Sequence, residues 1–264
     1  MIRAAAWALL SVALVARAQE ADPPPPFITT PEDVVEHMLK LAGTTPADLV
    51  VDLGSGDGRI PIIAAQKFGA RGLGIELDGR LVARSRENAL RAKVADRVAF
   101  VEGDVLEADI SKATVITVYL LPSLIGKLQP RFIYELKPGT RIVSHSFTMA
   151  GWKPDRMEDM RVTSPHPGQG DESTLYLWVV PAEARGAWRG GGWRLRIDQS
   201  YEDIEIEGSA AGKAVAFSGA RIRGRDISWE ADGRRFRGRV AGSKIVGELE
   251  GGGDRTPLEL QRER

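Results

Sequence analysis

Apolar positions along this chain change their period twice, and the changes divide it. The first regular stretch opens at Thr30, where Pro31, Glu32 and Asp33 make a helix start. Val34, Val35, Met38 and Leu39 then fall on one helical stripe, and Gly43 offers a stop. From residue 49 onward, continuous apolar runs alternate with amphipathic stretches. The runs near 49–53, 72–77, 98–101, 114–120 and 141–145 read as strands, and the stretches near 59–68 and 79–93 as helices. Leu124, Ile125, Leu128, Phe132 and Leu136 mark one face of a further helix. A last pair of runs, near 160–162 and 174–180, reads as a hairpin that closes the edge. Strands that alternate with helices require crossover connections, so the prediction is a mostly parallel seven-stranded sheet flanked by helices.

Helical periodicity stops at Pro181. Gly186, Gly190, Gly191 and Gly192 follow, and then short runs near 193–199, 204–206, 213–217, 222–229, 234–240 and 244–249 read as strands of a small antiparallel β-meander. Asp232-Gly233 is a two-residue hairpin signal between two of them. The expected organisation is an α/β domain over 27–182, a glycine-rich linker over 183–192 and a small all-β domain over 193–264. Arginines at 221, 223 and 225 and at 235, 237 and 239 alternate as an outward, solvated strand face would.

Composition narrows the class without naming it. Apolar residues make up 43% of the 264 and charged residues 27%, which fits an ordinary globular chain. The 36 basic and 36 acidic residues cancel, so no global field draws the protein to nucleic acid, and none is expected as a partner. No cysteine is present, which excludes disulfides, thiolate nucleophiles and cysteine metal sites. Residues 1–18 read as a secretory signal, with Arg3 ahead of a short apolar run and Ala16-Arg17-Ala18 as the cleavage site. The run is shorter than the roughly 20 residues a membrane span requires, so an exported, periplasmic protein without a stable span is expected. Pro23 to Pro26 form a stiff spacer within 19–26.

The sharpest chemical signal is Asp52-Leu53-Gly54-Ser55-Gly56-Asp57-Gly58, where the first strand gives way to a helix. Glycines there allow a tight turn and close approach of a ligand, and the helix start offers amides to an anionic group. A dinucleotide site would need glycine at position 59, which is Arg59. The string resembles the D-x-G-x-G-x-G motif of class I S-adenosylmethionine (SAM)-dependent methyltransferases, and the element order over 34–180 is similar to the Rossmann-like sheet of that family. The resemblance implies SAM as cofactor, with Asp52, Gly54, Ser55, Gly56 and Gly58 around its amino acid part. Glu76 ends the second strand 24 residues after Asp52, in the place where the family binds the ribose hydroxyls. Asp104 follows the third strand and matches the family's contact to the adenine amine. Tyr119 closes the strand before the long helix, on the methyl-acceptor side. No metal site is expected.

A closer resemblance is to the protein lysine methyltransferases that act on ATP synthase subunit c and on the adenine nucleotide translocase. It rests on residues 26–31, on the string from Asp52 to Arg59, and on Gly74-Ile75-Glu76-Leu77 with Leu81-Val82 and Ser85-Arg86. It implies a protein lysine as methyl acceptor, with Tyr119, Thr29 and Thr30 as candidate lining of the acceptor site; around Tyr119 the chain departs from those enzymes. His145, at the end of the fifth strand, reads as a hydrogen-bonded structural residue rather than a base. Export sets the protein apart from the cytoplasmic supply of SAM. That leaves a second reading open, an exported, non-catalytic module holding a nucleoside-like ligand or a partner on the same fold.

Overall fold

The computed structural model describes residues 28–165 and 170–263. The expected leader 1–18, the spacer 19–26 and His166 lie outside these residues. The first part runs α1 (Glu32–Leu41), β1 (Leu49–Leu53), α2 (Arg59–Phe68), β2 (Arg71–Glu76), α3 (Gly79–Arg91), β3 (Val98–Glu102), β4 (Val115–Val118), α4 (Pro122–Glu135), β5 (Arg141–His145), β6 (Arg156–Arg161) and β7 (Glu172–Val179). Its seven strands lie in the order β3-β2-β1-β4-β5-β7-β6. β1 to β5 are mutually parallel, and β7 runs antiparallel between β5 and β6.

Helices cover both faces of this sheet, which is why its central strands are apolar runs rather than alternating ones. On one face Val34, Val35, Met38 and Leu39 of α1 and Ile60 and Ile63 of α2 pack with Val50, Val115 and Val143. On the other, Ile125, Leu128 and Phe132 of α4 pack with Val51, Ile116, Ile142 and Trp178. β6 begins four residues before the apolar run that announced it, because this edge strand is mostly exposed and carries Arg156, Glu158 and Asp159. The chain leaves β1 toward β2 and β3, then returns to β4 and β5 on the other side. That reversal opens a crevice beyond the carboxyl ends of β1 and β4.

The second part contains β8 (Gly186–Gly190), β9 (Trp193–Ser200), β10 (Asp203–Ala210), β11 (Lys213–Ala214), β12 (Phe217–Arg223), β13 (Asp226–Ala231), β14 (Arg234–Ala241), β15 (Lys244–Gly251) and β16 (Asp254–Arg262). The expected meander closes on itself. β16 pairs with β8, β8 with β9, and β9 with β10, so the antiparallel sheet becomes a barrel. Closure brings backbones together at glycines; a Cβ on Gly208 of β10 would lie 2.2 Å from the Arg194 carbonyl oxygen of β9. Trp188, Trp229, Phe236, Ile245 and Leu260 fill the interior.

Four sequence expectations change here. The segment 183–192 is not a free linker, since β8 lies within it and completes the barrel. The run 222–229 is two strands, split by a turn at Gly224 and Arg225. The run 213–217 is divided between β11 and the start of β12, and β16, which no apolar run announced, carries Pro257 and alternating polar residues. Asp232 and Gly233 do form the predicted hairpin turn, with φ of 53° and 68°.

The two parts are joined by more than the chain. Tyr201, at the β9–β10 turn, stacks on Trp152 with centroids 5.1 Å apart and planes 6° apart. Its hydroxyl accepts a 2.8 Å hydrogen bond from Gln129 Nε2 of α4. Arg223 Nε donates to Asp155 Oδ1 at 2.8 Å, and the same carboxylate accepts from the Val179 amide.

Candidate functional site

The bend after β1 is built by three glycines with positive φ, 78° at Gly54, 54° at Gly56 and 80° at Gly58. Side chains are excluded for packing reasons as well. A Cβ on Gly58 would meet Phe100 at 2.6 Å, and one on Gly54 would meet Leu120 Cδ2 at 2.8 Å. The loop is held from behind by α3, where Ser85 Oγ donates to the Gly56 carbonyl at 2.9 Å and Asn88 Nδ2 to the Asp57 carbonyl at 2.8 Å. Its amides are arranged differently from the sequence expectation. Those of Gly54 and Ser55 both donate to the Ile75 carbonyl, and that of Gly56 to Glu76 Oε2 at 2.9 Å.

Asp52 lies beneath the bend, 3% exposed, and accepts from Thr117 Oγ1 at 2.7 Å. Burial pushes its carboxyl up to about 7; the Thr117 hydrogen bond opposes this, and the negative fields of Glu76 and Asp57 add to it. Glu76 sits half-buried at the tip of β2, where Oε1 accepts from the Asp78 amide at 3.0 Å. Asp104 is exposed just past β3, and its Oδ1 accepts from the Leu106 amide at 2.8 Å. Arg131 of α4 holds the following turn by donating to the carbonyls of Val105, Leu106 and Ala108 at 2.6 to 2.8 Å. Ser55 is buried, and its Oγ is oriented toward Gly74, where a Cβ would approach it to 2.5 Å.

The other side of the crevice is aromatic and uncharged. Tyr119, half-buried past β4, has its ring 4.2 Å from that of His145, tilted by 33°, and stacked 6.1 Å from that of Phe147. Burial holds the Tyr119 phenol above its usual range, so it stays protonated. His145 is fully buried, which pushes its pKa down to about 4 and keeps it neutral. Its Nε2 lies 3.0 Å from Ser173 Oγ and its Nδ1 3.3 Å from Thr30 Oγ1. Thr30 lies beside this wall, but it is 4% exposed and its hydroxyl faces His145 rather than the crevice. Thr29 is half-buried beside it.

Register puts these groups on one level. Leu53 pairs with Ile75 and with Val118, Val118 with Ser144, and Glu76 with Glu102. Gly54, Glu76, Asp104, Tyr119 and His145 thus all stand at or just beyond the same edge of the sheet. The glycine cradle and the Glu76 carboxylate fit a ligand with a vicinal diol and a compact polar end, as SAM has. Sequence reasoning missed Thr117, Asn88 and Arg131, and met Ser85 only as part of the family resemblance. Each acts through a fold contact 20 or more residues away, for which no local motif exists.

Comparison with known proteins agrees with this geometry. Residues 52–156 match the model of the ANTKMT methyltransferase domain. The chain is 40% identical over 156 residues to a protein-lysine N-methyltransferase of Saccharolobus islandicus, covering 59% of this chain and 93% of that protein. It is 35% identical over 130 residues to the mouse adenine nucleotide translocase lysine N-methyltransferase, spanning 49% of this chain and 56% of the mouse enzyme. Among solved structures, an RNA methyltransferase of Salinibacter ruber in complex with S-adenosyl-L-homocysteine aligns with TM-score 0.53 and 50% identity, over 59% of this chain and 95% of that one.

Proposed function

Since the chain belongs to the SAM-dependent methyltransferases of the ANTKMT-domain family, we propose that it transfers methyl groups to lysine ε-amines of a protein substrate. SAM is the cofactor, and when bound it supplies an electrophilic methyl group on a sulfonium. In this reading Glu76 receives the ribose hydroxyls, Asp104 the adenine amine, and the bend of Gly54, Ser55, Gly56 and Gly58 lies along the amino acid part, with Asp52 fixing the bend from below.

The observation that carries the lysine assignment is the uncharged aromatic wall at the tips of β4 and β5. A lysine must shed a proton before it attacks, which costs about 4 to 5 kcal/mol at neutral pH for an unperturbed side chain. Faces of Tyr119 and Phe147 attract the incoming ammonium, and a low-polarity surround then disfavours its charge and lowers that cost. His145, neutral above about pH 4, adds no repulsion. The Saccharolobus islandicus relative, named as a protein-lysine enzyme, supports the same assignment. The Salinibacter ruber relative is described as an RNA methyltransferase.

The test is transfer of labelled methyl from SAM to a fractionated proteome and, in parallel, to total RNA. Methyl-lysine in protein that disappears with Tyr119→Ala is the expected result; label in RNA alone would refute the assignment. We also read residues 1–18 as an export signal, which predicts a mature protein beginning at Gln19. Amino-terminal sequencing of periplasmic protein checks this.

A further inference from the structure

Between the cofactor bend and the aromatic wall runs the segment 28–31, and polar contacts tie it to both. Arg59, the first residue of α2, grips Asp57 with two nitrogens, Nε to Oδ1 at 2.9 Å and Nη2 to Oδ2 at 2.7 Å. Its Nη1 donates to the Thr30 carbonyl at 2.9 Å. Both charged side chains are largely buried, at 23% and 12% exposure. Burial alone would raise the Asp57 carboxyl, but the Arg59 hydrogen bonds and charge hold it below its ordinary range, so the pair stays ionised. At its other end Thr30 meets His145, whose ring backs Tyr119.

Sheet order gives the contact its meaning. β4 lies between β1 and β5, so a link from Arg59 to His145 passes over the tip of β4, where Tyr119 stands. Past Pro31 the chain enters α1, where Val34, Val35, Met38 and Leu39 are fully buried. The segment is therefore fixed at its α1 end by core packing and at Thr30 by Arg59. We infer that Arg59 is a positioning residue that ties the acceptor wall to the cofactor bend, so that the two halves of the site are set together. This rests on the methyltransferase reading above.

Only a guanidinium supplies a fork for Asp57 and a third nitrogen for Thr30; a lysine ammonium keeps the ion pair and loses the bridge. Arg59→Lys should bind S-adenosyl-L-homocysteine within about threefold of wild type by calorimetry, because the Asp57 partner survives. Hydrogen exchange of the amides at 30–35 should rise about tenfold in the same variant without ligand. The KM for protein acceptor, read on the most strongly labelled fraction of the proteome used in the transfer assay, should rise about tenfold while the KM for SAM stays level. Thr30→Val, which keeps the carbonyl and deletes the hydroxyl, should give the same split at about threefold.

Exchange and acceptor KM unchanged in both variants would overturn the inference. So would a loss of S-adenosyl-L-homocysteine binding in Arg59→Lys as large as in Arg59→Met, which would confine Arg59 to the cofactor. Wild-type protein that bound no S-adenosyl-L-homocysteine would strike the cofactor reading instead, and the ligand-free exchange comparison would still decide the link.

Discussion

In the first sheet β1, β4 and β5 are buried along almost their whole length, whereas in the barrel β9, β13 and β14 alternate buried and exposed positions. The contrast follows from what covers each strand: helices on both faces in one case, a packed interior on one face and solvent on the other in the second. It also separates their chemistry. A parallel sheet brings the carboxyl ends of neighbouring strands to one edge, so side chains from distant parts of the sequence converge there. The barrel joins its strand ends by tight turns and fills its middle with Trp188, Trp229 and Phe236. The family-matched residues 52–156 fall wholly within the first sheet.

If the barrel serves mainly as packed structure, its largest substitution effect must appear in stability and leave ligand affinity alone. Trp229 is fully buried and stacks on Phe236 at 3.9 Å. Trp229→Ala should destabilise the protein by about 3 to 5 kcal/mol, measured by denaturant unfolding. Affinity for S-adenosyl-L-homocysteine should be unchanged under conditions where the variant is folded. A matching loss of affinity would mean that the barrel shapes the crevice.

The next effect lies in the first sheet and depends on pH. His145 titrates at about 4 when folded against 6.5 when free, because burial disfavours its charged form. Between these values the unfolded chain binds the extra proton, so the stability this group contributes is complete above about 6.5 and is lost as pH falls toward 4. The shift corresponds to a loss on the order of 3 kcal/mol across that window. Asp52 acts with the opposite sign, since its raised folded pKa makes stability fall as pH rises from 3.8 to about 7. Comparing His145→Asn with wild type at each pH removes the Asp52 contribution, which both proteins retain. The difference in unfolding free energy should shrink steadily from pH 6.5 to 4; a constant difference would show that burial leaves the His145 pKa at its unfolded value.

A smaller effect, read in binding, belongs to the tip of β2. If Glu76 holds the ribose as proposed, Glu76→Ala should weaken S-adenosyl-L-homocysteine about thirtyfold, or roughly 2 kcal/mol, as charge-assisted hydrogen bonds to the ligand are lost and the Gly56 and Asp78 amides lose their acceptor. Titration calorimetry reads this directly, and the barrel offers no substitution expected to do the same.

How much of this was legible beforehand differs between the halves for the same physical reason. Continuous apolar runs and the string from Asp52 to Gly58 fixed β1, α2, β2 and β5 closely, since buried parallel strands and a glycine bend leave local marks. The residues that hold the site together leave none. Thr117 reaches Asp52 only because β4 is registered against β1, and Arg131 meets the turn at 105–108 only because α4 packs beneath it. In the barrel, alternation hid β16 and ran β12 into β13, because period-two patterns continue through a two-residue turn such as that at Gly224 and Arg225.

The smallest expected effect tests the outward arginines of the barrel. Arg235 pairs with Glu230, Arg237 with Glu250 at 3.5 Å, and Arg239 with Asp226 at 3.1 Å, each across neighbouring strands. Arg237 is 62% exposed on its side chain, so its ion pair is well screened by water. Arg237→Gln should therefore change stability by less than about 0.5 kcal/mol. Retention on immobilised heparin sharpens the comparison, since arginines already matched by carboxylates present little unbalanced charge to a polyanion. Elution of wild type at low salt, unaltered by the substitution, fits a solvated face. A large drop in the eluting salt for Arg237→Gln would instead give the barrel a binding surface of its own and end the division of labour drawn between the two sheets.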